Sequence, residues 1–324
     1  MEQFSISQED AVQKMLQKLT TLWRTRAAVN QDIPVYAELA FDASKRDFSE
    51  SLLPFRDHDA WLQAPEAIKS ACLSYAWGIY NLKTIYIECD VVTPACEDII
   101  KTPPSSNNRA LLQDVMSEAL LDEALHTRMS VMACNYIYDH RQLVPLDFTD
   151  FNLVQWRRQQ LASCGAEWER RLTRFAIACA SETLITDYLK TMAEDTSIQP
   201  ICHEVTRTHA VDEWSHSSVF SFSAMDIIRS LSEKEREYFR RTVRKTVEMF
   251  ANNELGAWQA AFNLIGMPHG EDILHDTGDS NEVGVYTDSV ERLIDRIGLS
   301  GAASTLSLPS HTPAAGRHGK GMTL

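Results

Sequence analysis

The sequence predicts an all-α protein, a helical bundle with additional flanking helices. Three observations carry this. Apolar residues keep a helical period through several long segments. Turn-forming clusters such as Lys101-Thr-Pro-Pro-Ser-Ser-Asn-Asn108 separate those segments. Carboxylates and histidines recur at helical spacing inside strongly apolar surroundings.

Each element follows in order. Ser7-Gln-Glu-Asp10 predicts a helix cap opening a helix to about Val29, with Val12, Leu16, Leu19 and Trp23 on its apolar period. The stretch 30–64, with Pro34 and Pro54, is less regular and is expected to wrap the bundle. Pro65 suits a helix first turn and opens a long helix toward Ile100, with a break near Pro94. A second helix is expected over 109–139, then a crossover rich in Pro, Asp and Trp over 140–165. Helices over 166–194 and 201–230 flank a turn ending at Pro200. Ser232 caps a further amphipathic helix to Ile265, closed by Gly266 and Pro268, and a short helix follows over 288–297. Residues 1–300 are expected to form one domain, and 301–324, rich in Gly, Ser, Pro and Ala, a disordered tail.

Composition narrows the function. A length of 324 residues supports a sizeable core. A formal net charge of −14 argues against nucleic acid and against anionic membranes as partners. The seven cysteines (Cys72, Cys89, Cys96, Cys134, Cys164, Cys179 and Cys202) form no Cys-x-x-Cys pair and lie mostly in apolar helical runs, as reduced thiols do. The N-terminus shows no secretory pattern and no apolar run reaches the length of a membrane span. The expectation is a soluble cytoplasmic protein.

The chemistry centres on His209-Ala-Val-Asp-Glu-Trp-Ser-His216. On a helix, His209, Glu213 and His216 leave from one face, a nitrogen and oxygen donor set suited to iron, manganese or zinc. Glu123-Ala-Leu-His126 is a second Glu-x-x-His. Two such motifs plus two lone glutamates are what a dinuclear carboxylate site in a bundle requires. Glu88 and Glu182 supply the lone carboxylates, each in an apolar setting where an unpaired charge is costly.

Spacing tests the idea. Glu88 lies about thirteen residues before the 101–108 loop and Glu123 about fifteen after it, so both stand roughly 20 Å from the same turn. Glu182 and Glu213 lie similarly about the 195–200 turn. Two antiparallel hairpins joined by one long crossover would bring all four carboxylates to one depth, as in a ferritin-like bundle.

In this order and spacing, the residues resemble the AurF-like p-aminobenzoate N-oxygenases over roughly 65–230. The histidine one turn before the second motif is the more specific mark. The resemblance implies two iron ions, dioxygen as co-substrate, and stepwise oxidation of an amine to hydroxylamine and then nitroso or nitro, in natural-product biosynthesis. It also implies that Glu123 and Glu213 bridge the metals, that Glu88 and His126 complete one iron, and that Glu182, His216 and His209 complete the other. With no flavin fingerprint or phosphate loop, electrons must come from an external donor. Homodimerisation stays open.

Other residues have plainer readings. His203 lies on another helical face and is structural or solvated. Asp122 and Asp212 each precede a ligand glutamate, and at least one is expected to hydrogen-bond to a metal-bound histidine. Lys83 either pairs with a substrate carboxylate or carries its charge to the surface. Two rival functions share the scaffold: a diiron hydroxylase or desaturase acting on C–H bonds, and an iron-binding protein without oxygenase activity.

Overall fold

The computed structural model describes residues 39–104, 108–278 and 283–300. The predicted N-terminal helix and the predicted disordered tail lie outside them. Among the described residues the fold is all-α, and an isolated parallel bridge between Arg46 and Ile198 is the sole strand-like pairing.

After short turns at Glu50–Leu52 and Asp59–Leu62, helix α1 spans Glu66–Ile87. Residues 72–79 are buried on every side, as in a helix at the centre of a bundle. The expected break near Pro94 takes a specific form. A π turn, Glu88–Val92, leads into α2, Thr93–Lys101, with Pro94 in its first turn. A proline ring clashes with the carbonyl four residues earlier, here that of Asp90, and widening that turn relieves the clash.

Helix α3 spans Arg109–Arg141 and is about 50 Å long. Leu112, Met116, Ala119, Glu123, His126, Ser130, Ala133 and Ile137 form its buried stripe at alternating three- and four-residue steps. Glu123 and His126 thus occupy core positions, and an apolar pattern on either side drives them inward. In the crossover, residues 152–163 form a helix, α4 (Asn152–Ser163), an element not assigned from the sequence. Pro145, Asp147 and Asp150 punctuate only the chain before it, and Leu153 and Val154 then anchor the helix in the core.

Helices α5 (Glu167–Ala193) and α6 (Pro200–Ile228) form the second hairpin. Cys202, Val205, His209, Glu213, His216, Phe220, Ala224 and Ile227 make the buried stripe of α6, again on a seven-residue rhythm. Helix α1 packs on α3, α5 on α6, and α3 on α6.

Helix α7 spans Glu233–Phe250 and opens with the Ser232–Glu235 capping box. It does not continue to Ile265. Asn252 Oδ1 accepts from Glu254 N at 3.0 Å, and Glu254 takes a left-handed backbone at φ 54°. A second helix, α8 (Leu255–Ile265), starts there and ends at Gly266, itself left-handed. Short helix α9 (Gly270–Thr277) and α10 (Val283–Arg296) follow. One contiguous hydrophobic cluster joins these elements, and no described helix is long and apolar enough to cross a membrane.

Candidate metal centre

Glu88 at the head of the π turn, Glu123 and His126 on α3, Glu182 on α5, and His209, Glu213 and His216 on α6 are all buried. Their donor atoms converge. Glu88, His126, His209 and Glu213 form one group within 4.8 Å; Glu123, His126, Glu213 and His216 form a second; Glu88, Glu123 and Glu182 form a third. Glu213 Oε1 is central, lying 3.0 Å from His209 Nε2, 3.4 Å from His126 Nδ1 and 3.6 Å from His216 Nδ1. On the other side, His216 Nδ1 lies 3.0 Å from Glu123 Oε1 and 3.5 Å from Glu182 Oε2.

Proximity here is not satisfaction. Glu88 Oε2, Glu123 Oε1, Glu182 Oε2, Glu213 Oε2 and His216 Nδ1 are buried without an aligned hydrogen-bond partner, the 3.0 Å approach of Glu123 to His216 included. Each such group forfeits its hydration for nothing, which native cores rarely tolerate. Two divalent cations would supply four positive charges for the four carboxylates and leave the imidazoles neutral. The donor set fits a pair of metal ions.

The protein's own charges show how unbalanced the cluster otherwise is. Burial pushes the Glu88 and Glu182 carboxyls well above the usual range, and neighbouring carboxylates push them further. Burial works the same way on Glu123 and Glu213, but the His126 bond and the close His216 imidazole outweigh it to hold Glu123 at about 2, and the His209 bond with the same His216 imidazole holds Glu213 well below normal. Burial lowers His126, yet bonds to Asp212 and Glu123 bring it to about 10. His209, by contrast, is lowered by burial and by the nearby His126.

Both aspartates that precede a ligand glutamate hold a histidine, and each holds the one on the opposite helix. His216 Nε2 lies 3.2 Å from Asp122 Oδ2, and His126 Nε2 lies 3.2 Å from Asp212 Oδ2. The Nδ1 atoms are thereby turned toward the carboxylates, as partners of metal-bound imidazoles do.

A cavity of about 600 Å³ opens on the α1–α5 side. Tyr80, Thr84 and Ile87 line it on the turns just before Glu88, and Ile185 and Tyr188 line it just after Glu182. Burial, then the carboxylates of Glu213 and Glu88, push the Tyr80 hydroxyl up, while its bond to Thr84 opposes them. None of the seven donor residues lines the cavity itself; Thr84 and Ile87 on one wall and Ile185 on the other lie within a helical turn, along the chain, of Glu88 and Glu182.

The family profile described as P-aminobenzoate N-oxygenase AurF matches residues 9–298. The chain belongs to the AurF family. A 4-aminobenzoate N-oxygenase from Streptomyces thioluteus is 25% identical over 304 residues, spanning 92% of this chain and 90% of that protein.

In this AurF-family chain the resemblance implied that His209 completes the metal of Glu182 and His216. Its ring stands on the side of Glu88 and His126. The His126 and His209 ring centroids are 4.1 Å apart, and His209 Nε2 lies 3.6 Å from Glu88 Oε1. The reason is helix direction. The pairs Asp122–His216 and His126–Asp212 show α3 and α6 running antiparallel. The turn after Glu123 is then level with the turn before Glu213.

Lys83 reaches the cavity wall, where its Nζ lies 2.9 Å from Glu254 Oε1 and donates to the Phe250 carbonyl at 2.8 Å. His203 takes no part in the donor groups. Tyr80 and Thr84 were missed by sequence reading, although their positions eight and four residues before Glu88 put them on its helical face.

Proposed function

We propose that this chain is a non-heme diiron monooxygenase that oxidises an amine nitrogen, first to the hydroxylamine and then to nitroso or nitro. The observation that carries the reading is the buried set of four carboxylates and three imidazoles with orphaned donor atoms, in a chain of the AurF family. Glu88, His126 and His209 would hold one iron, and Glu182 and His216 the other, with Glu123 and Glu213 shared between them. Two irons so held supply the redox capacity to activate dioxygen.

The chain's own groups do the rest. Asp122 and Asp212 fix the tautomer and orientation of His216 and His126. The largely aromatic and aliphatic inner walls of the cavity, from Tyr80 to Ile87 and at Ile185 and Tyr188, would hold the substrate on the side of the bundle that carries Glu88 and Glu182. The first step balances as R–NH2 + O2 + 2 electrons + 2 protons giving R–NHOH + H2O, so an external electron donor is required.

The test is metal content and product together. Purified from iron-replete cells, the chain should hold about two irons and, with reductant and oxygen, convert an aryl amine to its hydroxylamine. A single zinc on three ligands, or hydroxylation at carbon with the amine intact, would overturn the reading. Loading far beyond two irons would favour the storage alternative.

A further inference from the structure

We infer that the substrate is an extended aryl amine that carries no carboxylate. This rests on the N-oxygenase reading of the metal centre and adds what the cavity selects.

Charge comes first. Among the described residues that line the cavity, three carboxylates (Asp57, Glu254 and Asp276) face two cations (Arg56 and Lys83), for a formal balance of 2 − 3 = −1. Lys83, on the α1 wall one turn before Ile87, stands where a carboxylate partner would be sought. It is already ion-paired with Glu254, without an aligned hydrogen bond to Oε1, and donates to the Phe250 carbonyl, with its Nζ 5.4 Å from the centroid of the Phe250 ring.

Glu254 is in turn held by Asn152, whose backbone N and Nδ2 donate to its Oε2 at 3.1 and 3.0 Å. The left-handed turn at Glu254 is what delivers this carboxylate to Lys83. Nearer the mouth, Arg56 donates to the Ser51 carbonyl at 2.7 Å, and its Nε lies 3.5 Å from Asp57 Oδ2. Asp57 and Asp276 are solvent-exposed, and His58 lies 3.4 Å from Asp276, so the inner cation that an entering carboxylate would need is Lys83, already paired with Glu254; the acid would lose its hydration without gaining a partner.

The body of the ligand follows from the rest of the wall. Phe48, Phe55, Tyr80, Tyr188, Phe250 and Trp258 line the cavity, and Tyr80 stacks on Tyr188 with centroids 5.8 Å apart at 26°. Such walls suit a flat aromatic body. A cavity of about 150 Å³ is enough for benzene, whereas this one is about 600 Å³. One substituted ring would leave most of it empty.

The nitrogen itself must offer a lone pair. An alkyl amine, like the lysine side chain, is an ammonium ion near neutral pH, and its lone pair is lost. An aryl amine is far less basic and stays neutral at the same pH.

The experiment is anaerobic titration calorimetry on the iron-loaded protein. The ligands are 4-aminobenzoate, its amide, and a bicyclic aryl amide bearing the same aniline. The amide should bind at least tenfold tighter than the acid, and the bicyclic compound tighter still. In Glu254→Gln, with folding checked by circular dichroism, Lys83 loses its partner, and the ratio should move at least tenfold toward the acid. Asp276→Asn, at the exposed mouth, should move it the same way by less, and serves should Glu254→Gln fail to fold.

Equal or tighter binding of the acid by the unmodified protein would overturn the inference. So would a ratio unmoved in the folded variants, or a bicyclic ligand that binds no better than the single ring. If 4-aminobenzoate binds best and is N-oxidised, the selectivity falls and the N-oxygenase reading stands. If neutral aryl amines bind as stated and no N-oxidised product forms, the N-oxygenase reading falls alone.

Discussion

His126 Nε2 lies 3.2 Å from Asp212 Oδ2, a contact between α3 and α6 that reappears, with the helices exchanged, between His216 and Asp122. Each helix supplies a Glu-x-x-His pair and also the carboxylate that steadies the other helix's imidazole. The aspartates sit at the edge of the site, with Asp212 28% and Asp122 45% exposed, so solvent reaches the outer carboxylates but not the donors.

Asp212→Asn should therefore keep the fold and weaken the metal. Losing the carboxylate acceptor frees the His126 tautomer, and such partners typically contribute roughly 10- to 100-fold in metal affinity. Competition with a chromogenic chelator measures it. Unchanged iron retention in both Asp212→Asn and Asp122→Asn would show that the contacts are incidental.

His209→Ala should fold and retain much of its iron but lose most N-oxidation, with the weakened metal on the Glu88 and His126 side. Glu123→Ala and Glu213→Ala should instead abolish metal binding, because each removes a shared carboxylate. Metal analysis alongside product assay separates the two outcomes. A fully active His209→Ala would place that imidazole outside the chemistry.

Stripping the metal should make stability depend on pH above neutrality. In the metal-free protein His126 is raised from 6.5 to about 10, by bonds to Asp212 and Glu123 that outweigh burial. A raised histidine contributes stability fully below its unfolded value and loses it as pH climbs from 6.5 through about 10. Glu88 and Glu182, also raised, act in the same direction as they are forced to ionise. A loss of a few kcal/mol would lower Tm by roughly 5–10 °C in a chain of this size. Calorimetric scans of chelated protein between pH 6.5 and 10 check this, and a Tm rising with pH contradicts it. The metal-loaded protein, with its imidazoles neutral, should show a flatter profile.

Gly78→Ala tests the packing of the first hairpin. A Cβ there would fall on the Tyr138 hydroxyl of α3, with Tyr138 Cζ only 3.1 Å away. Tyr138 is buried against Tyr75, their centroids 6.1 Å apart, and has little room to retreat. Overpacking of this kind costs about 1–3 kcal/mol. Urea denaturation should show a lower midpoint, and an unaltered midpoint would mean the α1–α3 contact is looser than the structure has it.

The sequence by itself determined the long helices and which carboxylates and imidazoles gather in the buried cluster. The stripes from Leu112 to Ile137 and from Cys202 to Ile227 run on a seven-residue rhythm, and the glutamates and histidines fall on it. Local rules suffice for that, because helical period and distance from a turn are properties of one segment. Local signals also placed the Ser232 cap and the end of α8 at Gly266.

Only the tertiary structure decided which imidazole stands with which carboxylate. His209 belongs beside Glu88 and His126 because α3 and α6 are antiparallel, a relation between helices that no spacing within one of them contains. The break between α7 and α8 is of the same kind. Glu254 leaves the helical backbone where its carboxylate meets Lys83, 171 residues earlier, and the amides of Asn152. A buried charge takes whatever partner the packed chain brings within reach, and that partner is set by three-dimensional neighbourhood rather than by position along the sequence.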